Sequence, residues 1–482
     1  VMTYFKFPDD RNRFATATER CFGIGKCRRL EGGGKHDNDT MCPSFMVTRE
    51  EQHCTRGRAH LLFEMMGGEV ITDGWDSQAV KESLDLCLAC KGCKGDCPVS
   101  VDIATYKAEF LAHHYEHRMR PPSALAMGLI DKWARLASLA PGVANFFTQA
   151  PVVSDALKRF AGITTRRHVP PFAPRTFREW FESRPPRNLD KPPVLLWPDT
   201  FNNYFHPHTA QAAVEVLEAA GRRVLIPGQI LCCGRPLYDY GMLDRAKQYL
   251  RKILDVLRPQ IRAGMTIVGL EPSCVSVFRD ELHNLFPDDS DATALRDQTR
   301  TLAEFLNEHA GFHPPSLAGR KAVLHGHCHA KAITKITNEE KLLKKLGLQL
   351  ETLQCTCCGV AGSFGYERDK YDISMQIGEH GLLPSVRDAP KDALIIADGF
   401  SCRSQIEHGT DRRALHLAEV VKLALEQGEH PARLPFPERA FAEPKPWVPS
   451  RQAVTIGLLA GGVLAGIAAG RWLSKSRGRS AR

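Results

Sequence analysis

Residues 84–100 read LDLCLACKGCKGDCPVS, and the reading of the first hundred residues turns on them. Cys87, Cys90, Cys93 and Cys97 follow one another at spacings of two, two and three residues, and Pro98 comes directly after the last. Three thiols set two residues apart can wrap one face of a small metal cluster. The backbone amides between them can hydrogen-bond its sulfur atoms, and the proline turns the chain away.

This C-x2-C-x2-C-x3-C-P run is the ferredoxin-type 4Fe–4S signature, and in two-cluster forms its fourth cysteine ligates the other cluster. Zinc is the alternative for four cysteines, and the short, tight spacing argues against it. A degraded copy lies upstream. Cys21 and Cys27 are five residues apart, Ile24 stands where a second cysteine belongs, and Cys42 precedes Pro43 after an insert containing Gly32–Gly34. By the crossing rule Cys42 completes the set of Cys87, Cys90 and Cys93, and Cys97 joins Cys21 and Cys27. The second set then lacks a ligand, and Cys54 is the spare cysteine nearby. Its other reading is a buried small residue. One 4Fe–4S cluster is expected, and a second is left open. Arg56 and Arg58, ahead of an apolar helix over residues 60–66, either neutralise cluster charge, dock a partner or simply solvate the start of that helix.

The composition fits metal binding. Sixteen cysteines fall in two groups, eight from Cys21 to Cys97 and eight from Cys232 to Cys402. The first twenty residues are polar and charged and do not read as an export signal, so a disulfide framework is not expected. Hydrophobic residues make up 43% of the 482-residue chain and charged residues 25%, enough for real cores and two or three domains. The net charge of +9 is concentrated at the end, where Arg471, Lys475, Arg477, Arg479 and Arg482 read as a membrane flank rather than a nucleic-acid surface.

The organisation follows as five segments. Residues 1–118 form an all-α ferredoxin-like domain ending in a helix over 102–118. Residues 119–193 form a proline-punctuated helical connector, with helices over 124–140 and 152–160. Residues 194–310 and 311–430 are two copies of one α/β unit. In the first, strands at 194–197, 223–226 and 266–270 alternate with helices at 209–220 and 243–257. In the second, strands at 322–325, 349–353 and 393–397 alternate with helices at 339–346 and 371–380. This alternation predicts mostly parallel sheets, with the cysteines just past strand ends, where open α/β sheets bind ligands. Residues 431–482 hold a linker, an uncharged helix over 453–470 and the basic tail. The eighteen uncharged residues span about 27 Å at helical rise, close to a hydrocarbon core of about 30 Å. Gly457, Gly461, Gly462, Gly466 and Gly470 include the four-residue spacings of packed membrane helices. A soluble apolar helix is the alternative. The basic flank and a cytoplasmic N-terminal part both want the cytoplasmic side, which suits a hairpin, a re-entrant segment or peripheral docking better than one crossing.

Cys232-Cys233-Gly234 and Cys357-Cys358-Gly359, each followed some forty residues later by Ser-Cys, resemble the cysteine-rich CCG domains. These occur in the cysteine-rich chain of heterodisulfide reductase, the glycolate oxidase iron–sulfur subunit and the C-type subunit of anaerobic glycerol-3-phosphate dehydrogenase. With Cys21–Cys27, MCPSF, CTRGRAHLLFEM and the opening segment, residues 3–425 are similar to the C-terminal half of long FAD-linked D-2-hydroxyacid dehydrogenases (D-lactate and D-2-hydroxyglutarate types). The resemblance implies an oxidoreductase component that passes electrons from FAD, held on a missing half or a partner chain, to a quinone or other acceptor. It would work at the cytoplasmic face of the inner membrane and not be catalytic alone. The chain reads as a fragment or one subunit, with no nucleic-acid partner.

The two CCG copies are unequal. Cys328, Cys357, Cys358 and Cys402 can close a four-thiol shell, with Cys355 extra. The first copy has Cys232, Cys233 and Cys274, and Thr200 stands where Cys328 falls in the second, so closing that site takes Asp199, a histidine or water. Neither copy has the further cysteine that heterodisulfide reductase domains carry beside the last one. Zinc, an additional Fe–S centre or free thiols stay open for both copies. His325, His327 and His329, at alternate positions of an expected strand, would share a face as ligands, proton carriers or solvated residues. Thiol–disulfide reduction at the paired CCG sites and a purely structural metal module are the rival functions.

Overall fold

The computed structural model describes residues 2–29, 40–309, 311–427 and 435–441. Among them, residues up to 118 contain helices and no strand. Two helices carry cysteines of the N-terminal group into place. Thr55–Gly67 is capped by the thiol of Cys54, which accepts from the Gly57 N–H. The short helix Gly92–Asp96 holds Cys93. Behind them Ile103–His114, capped by Asp102 onto the Thr105 N–H, buries nearly its whole circumference.

The α/β repeat is present twice with one topology. In the first copy strands β1 (Pro193–Trp197), β2 (Arg223–Leu225), β3 (Ile267–Gly269) and β4 (Thr299–Thr301) form a parallel sheet in the order β2-β1-β3-β4. In the second, β5 (Lys321–Leu324), β6 (Gln349–Thr352) and β7 (Leu394–Ile396) form a parallel sheet in the order β6-β5-β7. β4 has no counterpart in the sequence reading. Three residues of Thr-Arg-Thr give no apolar run, and the strand exists through its pairing with β3. In the second copy its equivalent shrinks to a single parallel bridge between Ile396 and Leu415.

The connector departs from expectation. The single helix expected over 124–140 is two, Pro122–Gly128 and Ile130–Ala137, with Leu129 off helical geometry between them. Gly128 ends the first, where glycine is the poorest helix former after proline. The apolar tail over 453–470 and its basic flank lie outside the described residues. Among the described residues, no helix is long and apolar enough to cross a membrane.

Several cores fuse these parts, and three of them fix the thiol sets and the repeats. One joins Phe5, Phe14 and Phe110 of the N-terminal part to Leu195, Tyr238 and Phe278 of the first repeat. A second runs between the repeats, where helix Pro207–Ala219 packs on Leu417–Gln427. The third places Leu88 and Cys90 in the same cluster as Cys328, Cys357, Cys358 and Cys402. Gly95 permits this last approach, because a Cβ there would come within 2.8 Å of the Cα of Ala332. Burying a phenylalanine side chain contributes about 1.5–3 kcal/mol, so the shared cores hold the thiol sets in fixed relation.

Candidate metal centres

Cys42, Cys87, Cys90 and Cys93 line one small cavity, with Arg58 and Lys91 at its wall. This is the grouping the crossing rule predicts, with Cys42 rather than Cys97 beside the first three. Arg58 is 2% exposed. Its Nη1 donates to Cys42 Sγ at 3.3 Å, its Nε to the Ser83 carbonyl at 2.9 Å and its Nη2 to Ser44 Oγ at 2.9 Å. Burial works against its charge, and the thiols of Cys42 and Cys87 more than offset that, holding the guanidinium above its ordinary pKa. Of the three readings for Arg56 and Arg58, Arg58 therefore sits at the thiols and Arg56 ion-pairs with Glu51 at 2.7 Å.

Cys21, Cys27 and Cys97 line a second cavity next to the first, with Met41 and Arg56 between them. Cys54 reaches it through Cys27. A hydrogen bond from the Cys54 thiol draws Cys27 below its ordinary pKa, and the same bond with burial pushes Cys54 up. The Arg56 N–H donates to Cys27 Sγ and the Gly57 N–H to Cys54 Sγ, both at 3.3 Å. Backbone donors aimed at sulfur suit metal-bound thiolates, which accept without donating. Cys21 and Cys97 are partly exposed, and Phe22, 71% exposed, stands beside them.

In the second repeat the four thiols converge where the strand ends meet. Cys357 is hydrogen-bonded to Cys328 and Cys358, and Cys358 to Cys402 as well. Bonds from Cys357 and then Cys402 hold Cys358 well below its ordinary pKa. Gly359, at φ +90°, makes the turn after the pair, and a Cβ there would meet the Ser374 carbonyl oxygen at 2.2 Å. Cys355 stands apart. Its Sγ lies 3.2 Å from His325 Nδ1, and burial raises its thiol to about 11.

The histidine trio is not on a strand. β5 ends at Leu324, and the chain turns through His325 and His327 into a helical turn that begins at Cys328. The three rings therefore separate. His325 meets Cys355, while His327 and His329 lie close to Cys328, their ligand atoms within 4.8 Å of one another. His329 Nε2 contacts the Ala89 carbonyl at 3.1 Å, which fastens this turn to the opening motif. Burial pushes His327 down to about 4, so it is neutral at pH 7.

The first repeat stays incomplete. Cys233 Sγ and Cys274 Sγ are 2.9 Å apart. Cys232 Sγ accepts from the Gly234 N–H and from the Thr200 hydroxyl, both at 3.4 Å. Thr200 thus occupies the missing thiol's place and bonds the neighbouring sulfur. Asp199 is not free to substitute. Its Oδ1 accepts from the backbone N–H groups of Phe201 and Asn202, at 3.0 Å each, and its Oδ2 from the Asn202 side chain at 2.7 Å.

Sequence reasoning missed the groups that join the thiol sets. Lys91, 1% exposed inside the opening motif, pairs with Asp102 and with Asp280 and Glu281 of the first repeat. Arg235, next to the first Cys-Cys-Gly, donates to the Ala89 carbonyl at 3.1 Å and to Glu281 at 2.6 Å. A charge inside or adjoining a cysteine motif is the one signal that pointed to them.

Comparison with known proteins agrees with this geometry. Residues 20–102 match the family described as a 4Fe-4S dicluster domain. Residues 199–279 and 322–407 each match the cysteine-rich domain. The chain is 27% identical to D-2-hydroxyglutarate dehydrogenase of Pseudomonas putida over 83% of its own length and 42% of the relative's, so it spans less than half of that protein. It is 29% identical to the C-type subunit of anaerobic glycerol-3-phosphate dehydrogenase of Escherichia coli, over 59% of this chain and 72% of the relative. It is 31% identical to lactate utilization protein A of Bacillus velezensis, over 47% of this chain and 98% of the relative. These relatives are halves, subunits or counterparts of oxidoreductases, which favours electron transfer over thiol–disulfide chemistry. The chain carries iron–sulfur clusters and belongs to the family of iron–sulfur oxidoreductase components that includes lactate utilization protein A.

Proposed function

We propose that the chain is the electron-transfer module of a flavin-linked D-2-hydroxyacid dehydrogenase, taking electrons from FAD on another polypeptide segment and delivering them to a quinone or similar acceptor. In this reading Cys42, Cys87, Cys90 and Cys93 hold one 4Fe–4S cluster and Cys21, Cys27, Cys54 and Cys97 a second. Cys328, Cys357, Cys358 and Cys402 hold a further Fe–S or zinc centre. Cys232, Cys233 and Cys274 form a degraded site. The segments 1–118, 119–193, 194–310, 311–430 and 431–482 act as cluster domain, connector, two CCG domains and tail, and the work is done at the cytoplasmic face of the inner membrane.

One observation carries the reading. Cys90 and Cys328 line the same cavity, and the Cys90 thiol is pushed up by burial and then by Cys328. Thiol sets therefore adjoin one another in series, from the partly exposed Cys21 and Cys97 to the buried Cys402. Bound clusters supply one-electron carriers at those positions. The residues around them exclude water, fix the thiols and, through Arg58 and Lys91, balance negative charge. Exposed Phe22 and Ile24 beside Cys21 offer a docking face for the flavin-bearing segment.

The test is anaerobic reconstitution of the full chain, with iron, sulfide and zinc counts and EPR after dithionite reduction. Two interacting low-spin signals that vanish on adding quinone support the proposal. Zinc without iron would falsify it.

A further inference from the structure

A cavity of about 980 Å³, counting its open mouth, lies between the two repeats and the connector. Its floor is Cys328, Cys357 and Cys358, with Cys90 at one side. One wall is aromatic. The rings of Phe201 and Phe400 stack at 4.3 Å between centroids and 20° between planes, and Phe205 lies 5.8 Å from Phe400. Met127, Ile130, Val169 and Pro170 of the connector bound the opposite side and the mouth.

The polar groups in the cavity decide what it takes. Arg235 is its arginine, and its guanidinium is committed to Glu281, Asp239 and the Ala89 carbonyl. Glu271 is buried and faces His327 at 3.9 Å, with its oxygens held by Ser273 and the Phe400 N–H. A carboxylate ligand would meet that acidic group with no uncommitted cation among the described lining residues, at a large desolvation cost. The Nδ1 atom of His329, whose ring is nine-tenths buried, has no hydrogen-bond partner. Its Nε2 carries the ring's proton toward the Ala89 carbonyl, so Nδ1 is an acceptor; a neutral ligand with a ring hydroxyl, as a quinol has, would donate to it, while aromatic walls favour a flat ring.

We infer that this cavity binds a neutral, flat, apolar ring compound of the quinone class in its reduced, hydroxyl-bearing form, and not an anionic hydroxy acid. The inference rests on the electron-transfer reading for its purpose. The ring lies against Phe201 and a hydroxyl donates to His329 Nδ1, so the ligand sits beside the thiols of the second repeat.

The experiment uses the reconstituted full chain and decylubiquinol, kept reduced under anaerobic conditions, whose fully substituted ring does not add thiols. Affinity is measured by calorimetric titration, alone and against D-2-hydroxyglutarate, for the native chain, Phe201→Ala and Val169→Trp. The first variant removes the stacking face and the second fills the mouth. Each is expected to weaken the Kd about tenfold or more at unchanged iron content, roughly the worth of one aromatic contact, with no competition from the hydroxy acid. Iron content reports folding, and either variant suffices if the other loses it. Unchanged affinity in a folded variant, displacement by the hydroxy acid, or no binding to a native chain whose clusters are reducible would each overturn the inference while leaving the electron-transfer reading intact. Absence of iron in the native chain would instead sink that reading, and the quinol Kd would still judge the cavity.

Discussion

Lys91, flanked by two cysteines of the opening motif, is buried in an ion pair with Asp280, nearly two hundred residues away in the first CCG repeat. Burial opposes its charge, and Asp102, Asp280 and Glu281 overcome that and raise its pKa well above the ordinary value. The pair ties the cluster loop to the repeat. Removing one partner of a buried pair strands the other charge and costs about 3–5 kcal/mol. Lys91→Met should therefore lower unfolding stability by that amount in denaturant titration and loosen cluster retention. Exposed Lys132→Met should do neither.

Cys54 and Cys97 separate two clusters from one. Cys54→Ser and Cys97→Ser are each expected to remove about four iron atoms per chain and one EPR signal. Cys355→Ser, whose sulfur lies against His325 rather than the thiol sets, should leave both unchanged. Iron analysis of the three variants decides it, and equal iron in all three would mean the upstream set binds nothing.

Thr200 stands in for a thiol at the first repeat. Thr200→Cys completes a four-sulfur set with Cys232, Cys233 and Cys274 on a backbone already shaped like that of the second repeat. The variant should bind additional metal, counted by mass spectrometry of the intact chain, and should bind none if the set fails to close.

Arg58 donates to Cys42 Sγ from a fully enclosed position. Removing a hydrogen bond and a positive charge from a cluster ligand makes reduction harder. Arg58→Met should move the midpoint potential of one cluster to a more negative value, and Arg58→Lys, which keeps the charge, should move it less. A redox titration followed by EPR reads both.

Glu339 is buried with Oε2 unpartnered, and burial followed by Asp398 raises its pKa from 4.5 to about 8. The folded state keeps a proton that the unfolded chain gives up, so stability falls as pH rises from about 4.5 through about 8. Glu339→Gln does not titrate. Its thermal stability relative to the native chain should improve across that window, by roughly 1–3 kcal/mol at its upper end, and level off above it. A constant difference from pH 4 to pH 9 would contradict the assignment.

The elements legible beforehand are those written in local pattern. β1, β3, β5 and β7 are short apolar runs, and the helices between them have amphipathic spacing, so the parallel α/β class and the location of cysteines past strand ends followed directly. β4 was not legible, because Thr299–Thr301 has no apolar signal and is a strand only beside β3. The histidine trio misled for a related reason. Alternation suggested a continued strand, but β5 stops at Leu324 and the turn into Cys328 sends His325 toward Cys355 and its neighbours toward the thiol centre.

The sequence alone determined which residues are ligand candidates and that they come as a ferredoxin-type group and two unequal CCG groups. Spacing along the chain suffices there, because a cluster is wrapped by a few neighbouring residues. Tertiary structure alone decided that Cys54 reaches the second set, that Asp199 is spent on a helix cap, and that Cys90 meets Cys328 across a shared cavity. Those relations depend on packed cores and on buried charges such as Lys91 and Arg235, whose partners lie far away in sequence.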